Sequence, residues 1–234
     1  MNHEDMQRTI VTYLAANGAW HRAVSLDIEA SLSTLDNSAL PVISISVSHR
    51  VDGKVKTLNF ILEDETPEGE AKLIVQLGTF CREVRPLVVI GYNINHFDQP
   101  ILALKMRQFD RMFQKSNQYS PDYWAFRETM GRSYFLDAVD PVRFEISKVD
   151  NLPPRMVSLE GATSHKRFSH LPMIRSKGVL STAQTANGIT DKWDAIYYLY
   201  KNDRQNFEKY ISGDSHDTLL LAEELFGVKA FRVA

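Results

Sequence analysis

Two carboxylates stand two residues apart in the segment SLDIEA, residues 25–30. We predict that this segment is the end of a β-strand, and residues two apart on a strand point to the same side of it. Asp27 and Glu29 would therefore place two like charges side by side, which is unfavourable unless a cation lies between them. The pair indicates a cation site, although a solvated strand edge has the same pattern.

A third carboxylate follows a second apolar run. Asp98 comes a few residues after Val88–Ile90 and begins a segment with helical spacing. The carboxyl end of a strand is the usual place for ligand-binding side chains in an open α/β sheet. An aspartate here could equally cap the helix that follows.

The fourth carboxylate, Asp214, lies on a predicted helix late in the chain. Tyr210 precedes it by four residues, so the two side chains share one helix face. Considered alone, the Tyr210–Asp214 pair would be interpreted as an acidic patch beside a half-buried tyrosine. Gathered at one end of a sheet, the four carboxylates would form a site of hard oxygen ligands, which suits Mg²⁺ or Mn²⁺.

The apolar periodicity predicts the elements that position these side chains. We predict strands over 23–28, 41–49, 55–62, 87–90 and 133–139, with a hairpin at Asp52-Gly53 between the second and third. We predict helices over 67–85, 97–109, 191–203 and 204–226. A hairpin followed by alternating strands and helices predicts an α/β fold, a mixed β-sheet flanked by helices on both faces.

We expect one domain over residues 1–234, with an N-terminal helix in 1–20 and a loop-rich excursion from the core at 140–190. The composition is that of a globular protein, with 44% apolar and 24% charged residues. The net charge of −2 argues against a protein that coats nucleic acid by bulk electrostatics, but not against a local basic groove. The single cysteine, Cys81, excludes an internal disulfide. The single cysteine and the lack of a signal peptide or membrane-length apolar run together predict an intracellular, cytoplasmic protein.

In this order, the motifs resemble those of the DEDD-superfamily 3′–5′ exonucleases, which have a ribonuclease-H-like fold. The resemblance is to the subclass with a tyrosine in its third motif, as in the exonuclease domain of family-B DNA polymerases. SLDIEA resembles the first motif, GYNINHFDQPIL the second and YISGDSHDTLLL the third. The sister subclass has a histidine five residues before its last aspartate, where this chain has Lys209. With 234 residues and no D-T-D-type palm motif, we expect a free-standing relative.

The resemblance implies a metal-dependent 3′–5′ exonuclease that hydrolyses single-stranded DNA at its 3′ end with two divalent ions, Mg²⁺ or Mn²⁺. Asp27 would bridge the two ions. Glu29 and Asp214 would complete the site that holds the attacking water, and Asp98 would support the second ion. Tyr210 would orient the water, because a phenol with a pKa of about 10 is a poor base at neutral pH.

Four other residues are candidates for contacts with nucleic acid. Asn93 fits a hydrogen bond to the terminal nucleotide, and equally a turn. Phe97 fits a stack on a base, although a buried aromatic that holds its loop is the preferred interpretation. Lys166 and Arg167 lie in a window without Asp or Glu, residues 161–190, which fits either a single-strand contact or a solvated loop.

Two alternatives stay open at this point. The first is a 3′–5′ exoribonuclease, because a preference for the 2′-hydroxyl of RNA cannot be read from the motifs. The second is a catalytically idle nucleic-acid-binding module that recruits a polymerase or DNA-repair partner. Such a module would be expected to lose a metal-binding carboxylate, and the presence of all four with the tyrosine argues against it.

Overall fold

The structure, a computed structural model, describes residues 3–31, 41–116 and 120–227. Its centre is one five-stranded sheet in the order β3-β2-β1-β4-β5. The strands are β1 (Ala23–Ala30), β2 (Val42–Val51), β3 (Lys54–Ile61), β4 (Val88–Gly91) and β5 (Tyr134–Asp137). β1, β2 and β3 pair antiparallel, whereas β4 runs parallel to both β1 and β5. The predicted mixed α/β sheet is confirmed.

Helices surround this sheet in the described part of the chain. They are α1 (His3–Ala16), α2 (Pro67–Val84), α3 (Asp98–Ser116), α4 (Pro121–Arg132), α5 (Val139–Asp150), α6 (Leu159–Thr163), α7 (Lys177–Asn187), α8 (Lys192–Asn202) and α9 (Arg204–Phe226). Within the described ranges, no helix combines the length and the apolar character needed to cross a membrane.

The sequence prediction ended α3 too early and did not place four helices, because the range 140–190, expected to be loop-rich, also contains α6 and α7. α3 continues to Ser116 rather than ending at residue 109, and α4 and α5 were not predicted. α4 buries only Tyr123 and Phe126, so its apolar stripe is short. α5 carries Pro141 in its first turn, where proline is compatible with a helix although it suggests a turn in the sequence.

The two faces of β1 and β2 differ in chemistry. One face is aliphatic and packs in a single cluster with α2; it includes Val24, Leu26, Ile28, Ile45 and Val47. The opposite face carries the alternate residues, which are Ser25, Asp27, Glu29, Ser44, Ser46 and Ser48. In the strand register Asp27 lies opposite Ser46, and Glu29 lies opposite Ser44. The two carboxylates of the first motif therefore project from a face with small polar neighbours.

α9 covers this polar face. The Ser215 hydroxyl lies 2.7 Å from the Ser46 hydroxyl and 2.9 Å from that of Ser48, so side-chain hydrogen bonds join helix and sheet. Gly213 brings a second segment close, because a Cβ there would lie 2.0 Å from the Ser176 hydroxyl oxygen. Small side chains next to Asp214 thus let α9 pack tightly between the sheet and the start of α7.

A buried ion pair holds α3 against α2. Lys105 Nζ lies 2.8 Å from Glu70 Oε1, and both side chains are only 5% exposed. The same Glu70 oxygen accepts a hydrogen bond of 2.7 Å from the backbone N–H of Val42, at the start of β2. This contact fixes the helix whose first residue is Asp98 to the edge of the sheet.

We expect Lys105→Met to lower the free energy of unfolding by about 3–5 kcal/mol, because Glu70 would remain as an uncompensated buried charge. Arg107→Met, at an exposed position of the same helix, is the matched control and should change stability by no more than about 0.5 kcal/mol. Urea denaturation of both variants measures the difference. Equal effects would mean that the pair does not hold α3.

Candidate active site

The predicted site residues come from elements that meet at the carboxyl ends of the parallel strands. Asp27 and Glu29 lie in the second half of β1, and Asn93 follows β4. Gly91 and Asp137 end β4 and β5 and lie opposite each other in the register. A cleft of about 720 Å³ opens at this edge of the sheet.

Three of the four predicted carboxylates form a tight group. Asp27, Glu29 and Asp214 each offer one oxygen, and these oxygens lie within 4.8 Å of one another. Glu29 and Asp214 are buried, and Asp27 is half-buried. Burial of three like charges this close is unfavourable without a cation. Because all the donors are carboxylate oxygens, the group fits a hard divalent ion such as Mg²⁺ or Mn²⁺.

Asp98 borders the same cleft but does not belong to this carboxylate triad. It is the first residue of α3 and is 3% exposed. Its Oδ1 accepts a hydrogen bond of 2.9 Å from the backbone N–H of Ile28, the residue between Asp27 and Glu29. Burial raises the pKa of Asp98 to about 7, even though this hydrogen bond acts in the opposite direction.

Tyr210 is completely buried behind the triad. Burial raises the pKa of Tyr210 well above its usual range, and the charges of Glu29, Asp214 and Asp27 and a hydrogen bond to Glu29 act in the same direction. The phenol therefore stays protonated at neutral pH and donates a hydrogen bond to the Glu29 carboxylate. It can orient a partner, but it cannot serve as a general base.

Asp137 is a site residue that the sequence analysis missed. This buried side chain accepts hydrogen bonds at Oδ1 from the N–H groups of Asn93 (2.9 Å) and Val139 (3.0 Å), and at Oδ2 from that of Asn95 (3.3 Å). It holds the loop between β4 and α3 in place. The signal was available, because Asp137 directly follows the apolar run YFL, at the carboxyl end of a predicted strand.

Asn93 and Phe97 have the structural roles considered for them, and both also border the cleft. Asn93 has a φ of 71°, in the left-handed region that turns favour, and its side chain also borders the cleft. Phe97 stacks on Trp193, with ring centroids 5.8 Å apart and planes at 26°, and both rings border the cleft. Trp193, at the start of α8, was not predicted, because nothing in the sequence indicates that α8 approaches the loop between β4 and α3.

The remaining walls of the cleft are largely apolar. One wall is the segment from Met156 to Glu160, and another is formed by α7 and α8 with Leu180, Gln184 and Lys192. Of the described residues around the cleft, Lys192 alone carries a positive charge. Four carboxylates of the motifs thus face one lysine, which strengthens the requirement for bound cations.

Lys166 and Arg167 do not reach the cleft. Lys166 Nζ lies 3.0 Å from Asp150, while Arg167 pairs with Glu145 at 2.8 Å and Glu224 at 2.7 Å. The window 161–190 contains no acidic residue, but α5 and α9 supply the partners. The positive charge that the sequence indicated is therefore matched by carboxylates from other elements.

Comparison with known proteins found a matching family and similar solved structures. Residues 5–120, about half of the chain, match the family described as DNA polymerase family B, exonuclease domain. The matched region contains Asp27, Glu29, Asn93 and Asp98 and ends before Tyr210. The exonuclease family supports a nuclease activity for this chain.

The structure of the family B DNA polymerase from the hyperthermophilic archaeon Pyrobaculum calidifontis is similar over 89% of this chain and 25% of that chain, at 17% identity and a TM-score of 0.43. This chain thus spans about a quarter of the polymerase. Comparison with curated protein sequences gave no match.

The raised pKa of Asp98 predicts a pH dependence of stability in the metal-free protein. The folded carboxyl, with a pKa of about 7, retains a proton that the unfolded chain releases above pH ~4. The free energy of unfolding should therefore fall between about pH 4 and pH 7, by up to about 4 kcal/mol, and then level off.

The variant Asp98→Asn isolates this effect, because its amide oxygen can still accept from Ile28 but cannot titrate. Urea denaturation in chelator, repeated at each pH, should show wild type losing stability relative to Asp98→Asn as the pH rises. A constant difference between the two proteins would contradict the prediction.

Proposed function

Because this chain carries an exonuclease domain that resembles that of family-B DNA polymerases, we propose that it is a metal-dependent 3′–5′ exonuclease acting on single-stranded DNA. The observation that carries the proposal is the carboxylate triad of Asp27, Glu29 and Asp214, whose oxygens lie within 4.8 Å of one another. The triad lies in a cleft at the carboxyl edge of the sheet, where the substrate would enter.

We assign the binding of two divalent ions, Mg²⁺ or Mn²⁺, to the four motif carboxylates. Asp27 would bind both ions, with Glu29 and Asp214 completing one site. Asp98, which is outside the triad, would support the other ion through water. The chemistry that such ions supply when bound is a more acidic attacking water and a stabilised leaving oxygen.

Tyr210 would act as a hydrogen-bond donor throughout the reaction. Its phenol remains neutral because burial and the surrounding carboxylates raise its pKa. By donating to Glu29, it would hold that carboxylate, and with it the attacking water, in one orientation. This is a positional contribution of the kind that brings reacting atoms into line.

The walls of the cleft favour an unpaired 3′ end as the substrate. Phe97 and Trp193 border the cleft with their rings stacked on each other. Aromatic surfaces bind single strands by stacking on bases without regard to sequence. Lys192 lies 5.0 Å from the centre of the Trp193 ring and is well placed to contact a backbone phosphate. Asn93 would bind the terminal nucleotide.

The first experiment is digestion of a 5′-labelled single-stranded DNA with Mg²⁺, with Mn²⁺ and with chelator. We expect a ladder that shortens from the 3′ end with either ion and no cleavage with chelator. Asp214→Asn should reduce the rate by about 1,000-fold or more, because losing a metal ligand removes several kcal/mol of transition-state stabilisation.

The matched control is Glu208→Gln, which removes one charge from an exposed position of the same helix and should leave the rate within about twofold of wild type. A parallel reaction with RNA of the same sequence tests the sugar preference. An intact DNA strand in both metal ions would contradict the proposal.

We expect Tyr210→Phe to lower kcat by about 10-fold to 100-fold, because the lost hydrogen bond to a charged group contributes about 1.5–3 kcal/mol. The metal concentration at half-maximal rate should change little. Tyr200→Phe is the control, since it removes a partly buried hydroxyl that binds the Leu62 carbonyl at 3.0 Å, away from the cleft. An unchanged kcat would remove Tyr210 from the mechanism.

A further inference from the structure

A second cavity lies at the opposite edge of the sheet from the carboxylate triad. It encloses about 630 Å³ and is bordered by residues just before three parallel strands: Arg22 before β1, Leu87 before β4 and Arg132 before β5. Arg22 and Asp27 are five residues apart on one strand path, which places this cavity about 17 Å from the triad. Because arginines line it, we call it the basic pocket. The two cavities share no lining residue.

The basic pocket carries a local positive charge in a protein whose net charge is −2. Four arginines and one glutamate line it, a balance of 4 − 1 = +3; the arginines are Arg22, Arg82, Arg85 and Arg132. Arg82 pairs with Asp122 at 3.1 Å, and Arg132 pairs with Glu128.

Two of these guanidinium groups are available to a ligand. Within the described part of the chain, the side chains of Arg22 and Arg85 have no hydrogen bond or ion pair. Both residues are exposed. A guanidinium group binds phosphate through two parallel hydrogen bonds, so paired arginines in a cavity favour a phosphate-bearing ligand.

An exposed tryptophan adds a stacking surface to this charge. Trp124, in α4, lines the basic pocket and is 49% exposed, which is unusual for so large an apolar side chain. The guanidinium group of Arg127 lies 4.7 Å from the centre of its ring. Arginines interleaved with an exposed aromatic ring are the combination by which proteins hold a single strand without regard to its sequence.

We propose that the basic pocket binds the phosphodiester backbone of the single-stranded substrate at a distance from the 3′ end that is cut. The inference rests on the proposed function and extends it, because it gives the enzyme a second contact with the same strand. Two linked contacts raise the effective concentration of the 3′ end at the cleft. Long strands should therefore bind much more tightly than strands that reach only the cleft.

The test is binding of fluorescent single-stranded DNA in chelator, where no cleavage occurs, measured by anisotropy. A strand of about 30 nucleotides can reach both cavities, whereas a trinucleotide has only two phosphodiester linkages and is too short to reach from one to the other. For the long strand, Arg22→Gln/Arg85→Gln should bind about tenfold more weakly. The slope of log K against log salt should fall by about 1.4, because each phosphate that an arginine no longer neutralises accounts for about 0.7.

The matched control is Arg107→Gln/Arg111→Gln, which removes two charges at exposed positions of α3 that line neither cavity. It should leave the affinity and the salt slope close to those of wild type. Trp124→Leu removes the stacking surface without changing charge and should also weaken long-strand binding, by about tenfold. The trinucleotide cannot link the two cavities, so wild type should bind it much more weakly than it binds the long strand.

Equal affinity of the two double variants for the long strand would overturn the proposal. The arginines would then be expected to bind carboxylates of a protein partner instead. Cleavage of short strands by wild type reports the proposed function separately. Cleavage with equal binding would reject only the basic pocket. A binding difference without any cleavage would reject only the exonuclease activity.

Discussion

The arrangement of the candidate site depends on how closely α9 lies against the polar face of β1 and β2. Ser46 and Ser48 on β2 and Ser215 on α9 have small side chains, and their hydroxyls hydrogen-bond across the interface at 2.7 and 2.9 Å. Large side chains at these positions would hold the helix farther from the sheet. Asp214 reaches the carboxylates of β1 because this interface is thin.

The close approach of α9 to β1 also concentrates negative charge, and the fold supplies hydrogen-bond donors to the carboxylates. Backbone N–H groups bind Asp98 and Asp137, and the phenol of Tyr210 donates to Glu29. These donors do not cancel the repulsion, since burial and neighbouring carboxylates still raise the pKa of Asp98 to about 7. Without metal the site therefore costs stability, and that cost would be recovered when cations bind. The buried Glu70–Lys105 pair, at the base of α3, keeps the helix in place despite this repulsion.

The two ends of the parallel strands lie beside cavities of opposite charge. The carboxyl ends of the parallel strands meet at the acidic cleft, and their amino ends meet at the arginines of the basic pocket. A net charge of −2 conceals this separation. For a polyanionic substrate, such a distribution means attraction at the basic pocket and, without metal, repulsion at the cleft. Metal binding would then control access of the substrate end to the cleft as well as its chemistry.

By itself, the sequence determined the five strands and the helices that carry the motif residues, although it did not place α4, α5, α6 or α7. Strand alternation put Asp27 and Glu29 on one face of β1, and helical spacing put Tyr210 and Asp214 on one face of α9. Both periodicities depend only on neighbours in the chain. Only the tertiary structure decided which distant groups meet them. It placed Asp98 outside the carboxylate triad, matched Arg167 with glutamates from two other helices, and brought Trp193 to the cleft. Those outcomes depend on packing between elements far apart in sequence, about which no local pattern carries information.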